Sequence, residues 1–154
     1  MIRIKNILYP TDFSKYSLYA LDYAVSFAKQ YGATLYIIHV LPNYPLILGQ
    51  EATFVNLPKL EAATSEYVEK ELRKLQEQCA AQGVESETMV MIGSPFVQII
   101  KAAREKDVDL IVIATHGRTG ISHVLFGSVA ERVVRMAPCP VLSIKHPEHE
   151  FIMP

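Results

Sequence analysis

Residues 109–115 read DLIVIAT and residues 33–40 read ATLYIIHV. Both are short, nearly unbroken apolar runs rich in β-branched side chains. A strand with one wet face alternates apolar and polar residues, so runs like these belong to strands buried on both faces. That requirement leaves few folds open. Both faces of the sheet must be covered, and the covering elements must lie between the strands in sequence.

The intervening segments have the right period. From Ser17 to the glycine at 32, Leu18, Leu21, Val25 and Ala28 fall on one helical stripe, with Ala20, Ala24 and Phe27 beside it. The segment 58–82 carries Leu60, Ala63, Tyr67, Leu72, Leu75 and Cys79 at helical spacing and also stops at a glycine, Gly83. Ser94-Pro95 reads as an N-cap followed by proline in the first turn, ahead of Phe96, Ile99, Ile100 and Ala103. A last short helix fits 129–137. Further strands fit 4–10, 84–92 and 140–145. Strand and helix therefore alternate along the chain. The fold this predicts is α/β, a doubly wound parallel sheet of five strands with helices on both faces.

A chain of 154 residues with half its residues apolar and a fifth charged suits one globular domain, expected over residues 1–146 with a frayed tail at 147–154. The net charge of −1 gives no overall field towards nucleic acid or an anionic membrane, so neither is expected as a partner. No apolar run approaches the ~18 residues of a membrane span. Cys79 and Cys139 form no framework, and a cytoplasmic location is expected. The irregular piece is 41–57, LPNYPLILGQEATFVNL. It is long for a connection, and its place after the second strand lets it cover a site there.

In open α/β sheets ligands bind beyond the carboxyl ends of the strands, where the strand order reverses. With the first strand central and the fourth beside it, the crevice is bounded by Pro10-Thr11-Asp12 and by Ala114-Thr115-His116-Gly117. Gly127-Ser128 then opens the last helix, whose first N–H groups and dipole suit an anion. The same glycine and serine also suit any strand–loop–helix unit, so phosphate binding and a plain turn remain two readings. Asp12 fits a ribose or Mg²⁺ contact as well as a turn. Arg118 fits phosphate as well as solvent. Thr11 and Thr115 fit ligand as well as loop backbone. His116 and His123 have no acidic neighbour in sequence to orient them, and no catalytic residue or metal ligand set is assigned.

The opening ILYPTDFS (7–14), the long segment after the second strand, and the block THGRTGISHVLFGSVAERVVRMAPCPVLSIK (115–145) resemble the universal stress protein (UspA-like) family over nearly the whole chain. That resemblance implies strand order 3-2-1-4-5, of the adenine nucleotide alpha hydrolase-like type. It also implies a stress-response regulator that binds ATP (or ADP or AMP), with Mg²⁺ where phosphates carry it, and hydrolyses it slowly if at all. Members that bind ATP carry G-x2-G-x9-G-[ST]. Here the pattern reads A-x2-G-x9-G-S, with Ala114, Gly117, Gly127 and Ser128. By the resemblance Gly117 and the backbone of Gly127, Ser128 and Val129 hold phosphate. Pro10, Thr11 and Asp12 face the nucleoside, and Val40 meets the base. Ala114 departs from the pattern. A methyl aimed at the ligand overpacks the site at a cost of ~1–3 kcal/mol, whereas one aimed elsewhere keeps the backbone N–H and costs nothing. The resemblance further implies a homodimer through 140–145 and an unnamed protein partner. Two other readings stay open: a family member working through protein contacts without nucleotide, and a flavodoxin-like electron carrier.

Overall fold

The computed structural model describes residues 1–117 and 126–148. Its elements run β1 (Asn6–Pro10), α1 (Lys15–Tyr31), β2 (Thr34–Leu41), α2 (Tyr44–Leu48), a 3-10 segment (Gly49–Phe54), α3 (Leu57–Ala81), β3 (Ser86–Ile92), α4 (Pro95–Glu105), β4 (Leu110–Ala114), α5 (Ser128–Met136) and β5 (Val141–Ile144). The strands form one sheet in the order β3-β2-β1-β4-β5. Every neighbouring pair is parallel. The doubly wound sheet and its order are as expected.

Alternate strand residues point to opposite faces, and the two faces are packed separately. Ile7, Tyr9, Leu35, Ile37, Val112 and Ala114 join α1 and α3 in one apolar cluster. Leu8, Ile38, Ile111 and Ile113 join α4 and α5 in the other. Both sides of β1 and β4 are therefore dry, which explains the unbroken apolar runs. The β1–β4 ladder registers at Ile7–Leu110 and Leu8–Ile111. At its start the Asp109 carboxylate accepts from the N–H groups of Lys5 (2.7 Å) and Asn6 (3.0 Å). This end of the two central strands is tied, and the opposite end, at Pro10 and Ala114, borders the crevice.

Three expectations need correcting. First, α1 begins at Lys15, two residues early, because the Ser14 side chain caps it by accepting from the Ser17 N–H. This turn buries Ser17 and leaves Leu18 40% exposed, so the buried stripe runs Ala20, Leu21, Ala24, Val25, Ala28. Second, in α3 the buried positions are Val68, Leu72, Leu75 and Cys79, while Ala63 and Tyr67 are exposed. From 57 to 67 no position of α3 is fully buried. Third, 41–57 is not irregular. Asn43 and Asn56 each cap a helix, accepting from the N–H groups of Leu46 and Lys59, with a proline in the first turn of both. His146 packs edge-on against Tyr16 and Tyr19, and Lys15 meets Glu148 at 2.6 Å. Residues 149–154 lie outside the described residues.

Among the described residues no helix is long and apolar enough to cross a membrane. Cys79 and Cys139 are free thiols, and burial pushes both thiols above their ordinary pKa.

Candidate functional site: a crevice between β1 and β4

A cavity of about 270 Å³ opens at the carboxyl ends of β1 and β4. Its lining brings together Pro10, Thr11, Asp12, Val40, Ala114, Gly117, Gly127, Ser128 and Val129 from four separate parts of the chain. Nine of the ten residues singled out in sequence thus share one crevice. The tenth, Arg118, lies outside the described residues, as does His123. None of the described lining residues comes from 41–57. That segment runs beside α3 instead, where Tyr44 and Thr64 bring their hydroxyls to 3.4 Å.

The wall from β1 is a chain of local hydrogen bonds. Thr11 continues the ladder by donating its N–H to the Ile38 carbonyl at 2.9 Å. The Thr11 hydroxyl accepts from the Phe13 N–H (3.0 Å) and lies 2.9 Å from the Ser17 hydroxyl. The Ser17 proton goes to the Ser14 carbonyl (3.1 Å), so Thr11 is the donor to Ser17. Asp12 accepts from the Ser14 N–H through Oδ1 at 2.9 Å. This is an Asx turn, and it feeds directly into the Ser14 cap of α1. Beneath it the Tyr9 hydroxyl donates to the Ser17 carbonyl at 2.6 Å. Burial raises the Tyr9 phenol far above its ordinary pKa and keeps it protonated. Asp12 is therefore a turn residue, and its second oxygen, Oδ2, faces Gly117.

The opposite wall depends on two glycines, for steric reasons. A Cβ on Gly117 would lie 2.6 Å from Asp12 Oδ2. A Cβ on Gly127 would lie 3.3 Å from the Thr115 carbonyl oxygen, which accepts the Gly127 N–H at 2.6 Å. Close approach to these neighbours thus favours glycine at both places, more strongly at Gly117. Gly127 sits at the N-cap of α5 and offers no side chain to the first turn. The N-terminus of α5 carries a partial positive charge, and Ser128, Val129 and Ala130 of its first turn line the crevice. Thr115 and His116 are buried. The Thr115 hydroxyl lies 3.0 Å from His116 Nδ1 and 3.4 Å from the Ile144 carbonyl, so it bonds protein.

Ala114 has its methyl on the other side of the sheet. It belongs to the apolar cluster with Ala20, Leu21 and Ala24 of α1, while its neighbour Ile113 faces α4 and α5. The departure at Ala114 therefore adds no atom to the α4/α5 side of the crevice.

Sequence reasoning missed His39, Ser17, Pro95, Ile99 and Ile113, which also line the cavity. Pro95 and Ile99 come from the start of α4, signalled by Ser94-Pro95 at a strand end. His39 carried a signal too, as the one basic residue inside an apolar run.

The family model described as the universal stress protein family matches residues 3–145. The chain belongs to the universal stress protein family. Universal stress protein MJ0531 of Methanocaldococcus jannaschii is 37% identical over 147 residues, covering 95% of this chain and 85% of that protein. The solved structure of MJ0577, from the same organism, is similar with TM-score 0.83 at 26% identity, covering 96% of this chain and 99% of the other. A universal stress protein from Archaeoglobus fulgidus, solved in complex with dAMP, has TM-score 0.65 at 26% identity, with coverage of 94% and 100%.

Proposed function

We propose that this universal stress protein is a regulator that binds an adenine nucleotide, ATP in the first instance, in the crevice between β1 and β4. One observation carries the reading: the uncapped start of α5 faces, across one cavity, the Asp12 turn at the end of β1. The first supplies N–H donors and positive dipole for phosphate, and the second an acceptor for ribose hydroxyls. Val40, Ile99 and Ile113 add an apolar surface suited to a base. The relative in complex with dAMP supports the choice of an adenine nucleotide. Where Mg²⁺ accompanies the triphosphate, phosphate oxygens supply most of its ligands, and Asp12 is the carboxylate among the described lining residues.

Hydrolysis is expected to be slow. Fast phosphoryl transfer needs a cationic clamp and a residue that orients water, and the described lining holds neither lysine nor arginine. A second reading, action through protein contacts alone, is favoured by Leu46, Ile47 and Phe54, which are 80%, 66% and 90% exposed on the α2 and 3-10 segment.

Denaturing freshly purified protein and chromatographing the supernatant separates the two readings. Adenine nucleotide is expected in it, and stripped protein should gain ~2.7 kcal/mol of stability at 100 Kd of added ATP. No released nucleotide and no thermal shift at millimolar ATP with Mg²⁺ would leave the second reading standing.

A further inference from the structure

Phe13 has a backbone conformation that its side chain does not favour. Its φ is 63°, in the left-handed region, where a bulky non-glycine residue is uncommon and strained. Strain of this kind persists only where the surroundings hold it, and here they are specific. The Phe13 ring stacks on His39 with centroids 4.6 Å apart and planes 22° from parallel. Tyr67 of α3 meets it edge-on at 6.2 Å. His39 in turn bonds the loop it supports, with Nδ1 2.8 Å from the Thr11 carbonyl. A carbonyl only accepts, so Nδ1 carries the proton.

The consequence lies on either side of Phe13. Its own N–H is held by the Thr11 hydroxyl, and the next N–H, of Ser14, is held by the Asp12 carboxylate. The left-handed turn at Phe13 is what lets Asp12 curl back onto Ser14 while Oδ2 faces Gly117. We propose that Phe13 is a positioning residue for the nucleotide site. Its ring, packed on His39 and Tyr67, holds Thr11 and Asp12 in their binding geometry and links them to the exposed half of α3. This inference rests on the nucleotide reading of the crevice.

Two substitutions at one position separate ring from backbone. Phe13→Asn tolerates the left-handed backbone but cannot stack, and Phe13→Tyr keeps the ring. The apo proteins are compared by hydrogen exchange at the Ser14 amide, with the Ile7 and Leu8 amides of β1 as reference. ATP affinity is measured at 25 °C, where all variants remain folded and global stability does not enter Kd. Phe13→Asn is expected to speed Ser14 exchange at least tenfold relative to Ile7 and Leu8, and to weaken ATP at least tenfold. Phe13→Tyr should stay within about twofold of wild type in both. Tyr67→Ala, at the surface end of the stack, should move both in the same direction by a smaller factor. Unchanged Ser14 protection in Phe13→Asn overturns the proposal whether or not ATP binds. Faster exchange with unaltered ATP affinity overturns the link to the site. A wild type that binds no adenine nucleotide fails the reading of the crevice, and the link to nucleotide falls with it, while Ser14 exchange still decides whether Phe13 holds the Asp12 turn.

Discussion

Replacing Gly117 with alanine adds one methyl group at a place where the geometry names its neighbour. The new Cβ would lie 2.6 Å from Asp12 Oδ2 and 3.7 Å from Asp12 Cγ, and among the described residues beyond its chain neighbours nothing else lies within 4 Å. The Gly117 backbone is outside the left-handed region, so alanine is conformationally allowed there. Among the described residues the perturbation therefore acts on Asp12. Its carboxylate must swing away, and the bond from the Ser14 N–H to Oδ1 goes with it. A hydrogen bond to a charged acceptor contributes about 1.5–3 kcal/mol, and half-burial puts this one near the lower end. For a chain of this size that is a fall in Tm of roughly 3–6 °C. Loss of Asp12 as a ligand acceptor should also weaken ATP roughly 10- to 100-fold. The assay is a double-mutant cycle read by denaturant unfolding and by ATP titration. In an Asp12→Ala background the added methyl loses that neighbour, so Gly117→Ala should cost less than about 0.5 kcal/mol. An equal loss in both backgrounds would refute the claim that Gly117 is glycine because of Asp12.

Ala114→Gly removes a methyl from the α1-side core, so stability should fall by roughly 1–2 kcal/mol while ATP affinity stays within about twofold, by calorimetric titration. A gain in affinity would mean that the methyl obstructs the ligand. Tyr9→Phe removes the hydroxyl donor to the Ser17 carbonyl, and unfolding in urea should show a loss of about 0.5–1.5 kcal/mol. The Tyr9 phenol is raised in the folded state, so the native protein keeps that proton after the unfolded chain, with its ordinary value near 10, has released it. Its contribution is complete below about pH 10 and is lost as pH rises beyond, with a slope of up to about 1.4 kcal/mol per pH unit that Tyr9→Phe removes. At the sheet edge, the Pro140 and Ile144 carbonyls face β4, which turns the backbone of Val141 and Ser143 outward. If β5 pairs with a second copy, Ser143→Pro should convert a dimer to a monomer by sedimentation with the fold intact. A monomeric wild type at micromolar concentration would contradict that pairing.

Much of this architecture was legible because each part is local or periodic. DLIVIAT and ATLYIIHV are apolar throughout since α1 and α3 cover one face and α4 and α5 the other. Pro10-Thr11-Asp12 and Gly127-Ser128-Val129 could be assigned to one crevice because strand ends and helix starts are fixed once the winding is known. What escaped was contact between residues far apart in sequence. Nothing near Gly117 announces that Asp12 fills the space where its Cβ would be, and nothing near His39 announces its bond to Thr11. The direction of the Ala114 methyl was a matter of strand phase, which sequence position alone left open. The missed helix at Tyr44–Leu48 is a different case. Its exposed leucine and isoleucine gave no core-facing stripe, but Asn43-Tyr44-Pro45 and Asn56-Leu57-Pro58 are both cap signals that could have been read.

Titrating stripped protein with ATP and Mg²⁺ while following backbone amide shifts tests the crevice most directly. The amides of Ser128, Val129 and Ala130 at the start of α5, and those of Asp12 and Val40 across from them, should move together and saturate with a single Kd. Shifts absent from these residues at millimolar ATP, or confined to a different part of the surface, would contradict a nucleotide site between β1 and β4.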